Sequence, residues 1–224
     1  MNIALLGNGR TGNNIHAVIS QDDSITDFNL QNLPTLYSLK GHDVIISFLP
    51  GNAFLDYYRL LLEARIPVVT GSTGFSWPEN AASEIQKTET AWITASNFSL
   101  GMQLVHDAII ALGSGINLLP DATTSIHEIH HIHKKDSPSG TALKWQEWFG
   151  KDVDITSQKL GETVGDHQLT IDTPTETIRL QHVAKDRKIF AAGAVWAARK
   201  VGELPTGLHN FEDVVNKFKQ GNAS

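Results

Sequence analysis

The chain has 224 residues, 41% hydrophobic and 19% charged, the balance of a globular protein able to bury a full core in one large domain or two small ones. It has no cysteine, which excludes disulfides, thiolate chemistry and cysteine-ligated zinc. The net charge of −6 argues against duplex nucleic-acid binding, and the lack of a ~20-residue apolar run or a basic-then-apolar leader predicts no membrane span and a cytoplasmic location.

Strand and helix signals alternate from the start. Asn2-Ile3-Ala4-Leu5-Leu6 is an apolar run ended by Gly7, and glycines precede a helix expected through Ile15, Val18 and Ile19. Gly12 to Asp43 is too short for two full strand–helix units, so the stretch holding Asp27 is expected to be a short strand and loop. Asp43 to Leu49 reads as a buried strand, closed by Pro50-Gly51 and followed by a helix from Asn52 to Ala64. A strand over Ile66 to Thr70, a helical stretch from Pro78 to about Thr88 and a strand over Ala91 to Ala95 follow. This pattern predicts an α/β fold, a doubly wound parallel sheet with helices on both faces.

After a helical run with Leu100, Leu104, Ala108 and Leu112 on one side, the texture changes between Asn117 and Ser125. Thr123-Thr124-Ser125-Ile126, Leu169-Thr170-Ile171 and Thr177-Ile178-Arg179-Leu180 predict antiparallel strands, interrupted by a helix from Thr141 to Phe149. The last helix, near Phe211 to Phe218, is expected to return to the first unit. The expected division is a dinucleotide-binding domain of residues 1–98 plus about 201–224, and a second, α+β domain with a mostly antiparallel sheet over about 99–200.

Gly7-Asn8-Gly9-Arg10-Thr11-Gly12 is a G-x-G-x-x-G sequence between a strand and a helix, where glycines permit a tight turn and close approach of a pyrophosphate. Asp27 has the spacing of the acid that takes adenine ribose hydroxyls, with Asp22 and Asp23 as competitors. Gly71-Ser72-Thr73-Gly74 and Ala95-Ser96-Asn97-Phe98 each follow a parallel strand at its carboxyl end, where ligands bind in open α/β sheets. A turn shaped by Gly71 and Gly74 and a helix capped by Ser99 would account for both without a ligand.

His127-Glu128-Ile129-His130-His131-Ile132-His133-Lys134-Lys135 supports two incompatible readings. As a helix, His127, Glu128 and His131 match the zinc-hydrolase pattern His-Glu-x-x-His. As a strand, favoured by the β-branched lead-in and by Ser137-Pro138-Ser139-Gly140 after it, His130, Ile132 and Lys134 share one face and place an imidazole beside an ammonium. Such a pair suits proton transfer next to an anion. Ser139-Gly140-Thr141 opens the next helix, whose free N–H groups make a carboxylate seat, and Trp145 and Trp148 on that helix read as core.

Glu128-Ile129-His130-His131 through Lys134, followed by Asp136-Ser137-Pro138-Ser139-Gly140-Thr141-Ala142, resembles the signature of 4-hydroxy-tetrahydrodipicolinate reductases. Gly7 to Gly12, Gly71 to Phe75, Ala95 to Ser99 and Ala191 to Val195 resemble that family in the same order. The resemblance implies a Rossmann-type domain plus an α+β domain that builds a homotetramer. It implies NADH or NADPH as cofactor, a cyclic dicarboxylate as substrate, and no metal. It further implies that His130 is the proton donor or acceptor, that Lys134 is the proton donor, and that His131, Gly140 and Thr141 hold the substrate carboxylates. Gly7, Asn8, Gly9, Arg10, Thr11 and Gly12, with Gly71, Ser72 and Thr73 and with Ala95, Ser96, Asn97 and Phe98, would line the cofactor site, Asp27 contacting ribose. The glycine loop is one residue shorter than in longer members and Ser137 stands where alanine is usual, which leaves NADH or NADPH open. A zinc hydrolase and a non-catalytic dinucleotide sensor are the alternatives.

Overall fold

The computed structural model describes residues 1–134 and 136–221; Lys135, quoted above, lies outside the described residues. The chain divides into two units, Met1–Ser99 with Arg187–Ser224, and Leu100–Asp186. In chain order the strands are β1 (Asn2–Leu6), β2 (Ser24–Phe28), β3 (Val44–Ser47), β4 (Val68–Thr70), β5 (Ala91–Thr94), β6 (Thr123–His130), β7 (Asp154–Lys159), β8 (Gly165–Asp172), β9 (Thr177–Ala184) and β10 (Gly207–Asn210). The α-helices are α1 (Leu36–Leu39), α2 (Gly51–Ala64), α3 (Ala81–Gln86), α4 (Leu100–Gly115), α5 (Gly140–Phe149), α6 (Lys188–Lys200) and α7 (Phe211–Gly221). No helix among the described residues is long and apolar enough to cross a membrane.

The first unit holds a parallel sheet in the order β10-β5-β4-β3-β1-β2. Because β1 lies between β2 and β3, the winding reverses beside it and opens a crevice at the carboxyl ends of the strands. Ile3 to Leu6, Val44 to Ile46 and Val68-Val69 are at most 1% exposed, as expected of strands covered on both faces. Helix α2 buries Phe54, Tyr58 and Leu61, spaced i, i+4, i+7, each contributing about 1.5–3 kcal/mol of burial. It stops where Arg65 turns left-handed ahead of Pro67.

Helix α6 packs on β3 and β4 through small residues, Ala191, Ala194 and Ala198 among them. Gly193 lies so close to the Phe98 carbonyl that a Cβ there would overlap it. The Ala191 to Val195 run is thus a helix face that admits backbone.

Two expectations are corrected here. The helix through Ile15, Val18 and Ile19 is a 3₁₀ helix, Gly12–Ala17. The Asn14 side chain donates to the Arg10 carbonyl and Val18 N–H to that of Ile15, local bonds that tighten the turn instead of propagating an α-helix. The boundary expected near 200 falls at Arg187, because α6 packs against that 3₁₀ helix and the first unit's sheet.

The second unit has a four-stranded sheet, β7-β6-β8-β9, with β6 parallel to β7 and the other pairs antiparallel. Helices α4 and α5 cover one face, burying Met102, Ile109, Trp145 and Phe149 against Ile126, Leu169 and Ile171. Ser139 caps α5 by accepting from Ala142 N–H, and left-handed Gly150 ends it.

Candidate active site

In the first unit, the expected cofactor residues gather at the carboxyl edge of the parallel strands: Gly7 to Gly12 after β1, Gly71 to Thr73 after β4, and Ala95 to Phe98 after β5. Gly7 takes φ 97, and its N–H donates to the Phe28 carbonyl. A Cβ on Gly9 would meet nothing within 4 Å, so the loop's outer side is open backbone. Open loop amides of this kind can receive an anion without a long helix end behind them. Asn8, Arg10, Thr73 and Ser96 are exposed beside it.

Two of these side chains face inward. Ser72 is buried against Ser47 Oγ at 3.3 Å, and Phe98 is core, edge-on to Phe48 and Phe211. The Asn97 carboxamide accepts from Ser99 N–H at 2.8 Å. Asp27, near the carboxyl end of β2, meets His16 Nε2 at 3.0 Å. Asp22 and Asp23 precede that strand, and Asp23 is tied to the N-terminal ammonium and to Arg199.

In the second unit, β6 is a strand through His130, which overturns the helical His-Glu-x-x-His arrangement. Strand alternation sends His127 to the other face, where Nδ1 meets Thr156 Oγ1 at 2.9 Å, while Glu128 and His130 point inward with Ile126. The zinc-hydrolase alternative loses its geometry. The strand also ends sooner than expected: Ile132 N–H bonds to Gly161, and Lys134 N–H turns back to the His131 carbonyl. The alternation that would align His130, Ile132 and Lys134 therefore stops at His130. Ile132 is 55% exposed, and Lys134 sits in the turn, its ammonium 2.7 Å from Asp136. His131 is half-buried beside the His133 ring.

Behind His130 lies a buried polar cluster. Glu128, 1% exposed, accepts at Oε1 from Ser139 N–H (2.8 Å) and Ser157 Oγ (2.7 Å). Its Oε2 stands 3.5 Å from His130 Nδ1 and 3.4 Å from His167 Nε2. His167 Nε2 is also 3.2 Å from Ser139 Oγ. The same carboxylate thus touches His130 and the N-cap of α5, whose first turn carries Gly140 and Thr141.

Burial alone would raise Glu128, but hydrogen bonds from Ser139 and Ser157 and the nearby His130 outweigh it and hold the carboxyl below its ordinary range. Burial lowers the His130 pKa; the Glu128 charge opposes the shift and Lys134 adds to it. Burial, with His130 and His182 adding, pushes His167 down to about 4. Both imidazoles are neutral at pH 7.

From the sequence, Glu128 had a role only in the zinc-hydrolase alternative, and His167, Ser157 and Asp136 had none. The signal for two of them was there in the period of two, since Glu128 stands between Ile126 and His130, and His167 precedes Leu169 and Ile171 on the inward face of β8.

The family models for the N-terminus and C-terminus of dihydrodipicolinate reductase match residues 24–98 and 100–215. The 4-hydroxy-tetrahydrodipicolinate reductase of Christiangramia forsetii is 34% identical over 235 residues, covering 96% of this chain and 98% of the relative. That of Natronomonas pharaonis is 30% identical over 251 residues, covering 96% and 100%. Among solved structures, the dipicolinate-bound dihydrodipicolinate reductase of Paenisporosarcina sp. TG-14 aligns over 95% of this chain and 98% of that one, with TM-score 0.75 and 20% identity, and so has the same fold.

Proposed function

The chain belongs to the dihydrodipicolinate reductase family, and from that premise we propose that it reduces 4-hydroxy-tetrahydrodipicolinate to tetrahydrodipicolinate with NADH or NADPH, a step of lysine and diaminopimelate biosynthesis. The observation that carries this reading is the match across both halves of the chain, joined to a buried histidine–carboxylate pair bonded to the first turn of α5. Dipicolinate bound to the Paenisporosarcina enzyme supports a cyclic dicarboxylate as the ligand class.

Substrate and product differ by a hydroxyl replaced by hydrogen, so balance requires one hydride, one proton and loss of water. The reduced nicotinamide supplies the hydride when bound. The open amides of Gly7 to Gly12 hold its pyrophosphate, with Gly71 to Thr73 and Ala95 to Phe98 at the same sheet edge and Asp27 reaching ribose. Neutral His130 takes a proton from the ring carbon next to the one that bears the hydroxyl and returns it once the hydride has been added, with no net change, and the Lys134 ammonium, held by Asp136, donates the proton that leaves with the hydroxyl as water. His131 and the N–H groups of Gly140 and Thr141 take the substrate carboxylates, with the dipole of α5 in their favour.

On this reading the first unit binds dinucleotide and the second binds substrate and assembles a homotetramer in the cytoplasm. The outward face of the second sheet, with Gln168, Arg179 and Gln181, is the surface we assign to assembly, testable by sedimentation equilibrium.

The experiment that tests the reaction follows NADH and NADPH oxidation by absorbance, with freshly generated substrate and a chelator present. Turnover is expected with at least one cofactor. Cofactor binding without turnover would favour the dinucleotide sensor instead.

A further inference from the structure

Glu128 and His167 remain outside the roles assigned so far, although both are buried and charged or titratable. We propose that Glu128 is the positioning residue for His130: its carboxylate holds the ring with Nδ1 inward, leaving Nε2 as the nitrogen that takes the substrate's proton. This rests on the reading of His130 as the proton-transfer group.

A carboxylate oxygen can only accept. The His130 nitrogen facing Glu128 Oε2 at 3.5 Å is therefore favoured as N–H, because two lone pairs facing each other would repel. The neutral ring has a single N–H, so its other nitrogen is left with a lone pair. That nitrogen points toward Gly165, where an added Cβ would come within 3.4 Å of it.

At 3.5 Å the His130 contact is longer than an ordinary hydrogen bond, so the carboxylate acts on the ring through its charge and lone pairs. Oε2 has no hydrogen-bond partner within ordinary limits, yet it is buried between two imidazoles, an expensive place for a bare carboxylate oxygen. Its position is fixed from the other end, where Oε1 accepts from Ser139 and Ser157. Ser139 caps the helix that carries Gly140 and Thr141, so one side chain sets the acceptor nitrogen in register with the carboxylate seat. His167, kept neutral by burial, completes the pocket without bringing a competing cation to Oε2.

The test is Glu128→Gln. Ser139 N–H must still be accepted, so the amide oxygen takes the place of Oε1 and the NH₂ faces His130 Nδ1. The ring then has to turn its lone pair to the amide and carry its proton on Nε2. Two-bond ¹⁵N–¹H spectra at pH 8 should show His130 as the Nδ1–H tautomer in the native protein and as Nε2–H in the variant. Turnover should fall on the order of 10²–10⁴-fold, the worth of a positioned acid–base group that holds its proton on the wrong nitrogen, with NAD(P)H affinity unchanged. A purely structural carboxylate would leave the tautomer alone. A native spectrum with the proton on Nε2 overturns the proposal, and needs no variant to fold. Full activity in Glu128→Gln, alongside an inactive His130→Ala, overturns it while leaving His130 in its role. Full activity in His130→Ala removes the reading beneath it, and the proposal with it.

Discussion

Gly12 lies against the carbonyl oxygen of Gly7, with no room for a Cβ between them. The turn after β1 can close only while position 12 is glycine, so Gly12→Ala should push the loop open. We expect NADH and NADPH affinity to fall tenfold or more, and stability to drop by about 1–3 kcal/mol from overpacking. Fluorescence titration of the cofactors checks the first part; unchanged affinity would place the dinucleotide elsewhere.

His130→Ala should cost about 10²–10⁴-fold in turnover, the usual worth of a positioned acid–base group. Cofactor affinity should stay within twofold, because the side chain belongs to the second unit's cluster and not to the glycine loops. Single-turnover kinetics with a parallel binding titration separates the two. Equal losses in both would break that division of labour.

Stability should fall as the solution is acidified from pH 6.5 to about 4. Burial holds His167 neutral down to about 4, against an ordinary value of 6.5, so within that window the unfolded chain binds a proton that the folded chain refuses. The whole step is worth on the order of 3 kcal/mol. His130 and His182 are lowered by burial too and act in the same direction, while the Glu128 contribution is lost only below its ordinary 4.5. Urea midpoints at pH 7.5 and 4.5 should differ clearly, and less so in His167→Gln. A midpoint flat across that range would mean that the site admits water.

Gly193→Ala should destabilise the first unit by about 1–3 kcal/mol or more, since α6 must lift away from the Phe98 carbonyl to admit a methyl. Calorimetry would register a lower first-unit transition. An unchanged transition would mean that α6 slides freely on the sheet.

How legible all this was depended on burial. The strands β1, β3, β4 and β5 announce themselves because both faces are covered and all but one terminal position of each is apolar. Strand β7, Asp-Ile-Thr-Ser-Gln-Lys, is mostly exposed and carries one apolar residue, so neither period nor composition marks it. Strand β10 is four residues at a sheet edge, too short to show a period. Helix α6 buries mainly alanine and glycine, so its inward face carries little hydrophobic contrast and its run of alanines reads as texture and not as an element. In the site, His130 and Lys134 stood out through their segment, but the turn after His130 depends on bonds to Leu160 and Gly161, thirty residues on in the sequence. Glu128 was visible only as the base of a metal motif until the strand put it behind His130.

The second unit is inserted into the first, and that sets an order on the ribosome. Strand β10, which pairs with the free edge of β5, and helix α6, which covers β3 and β4, are both translated after residue 186. At roughly 5–20 residues per second, the nascent first unit spends on the order of ten seconds with an unpaired strand edge and a bare apolar face. The inserted unit, continuous in sequence, can close before the unit that contains it. A chain truncated after Asp186 should therefore be cut by protease within residues 1–99 while residues 100–186 resist, and the full chain should be protected throughout.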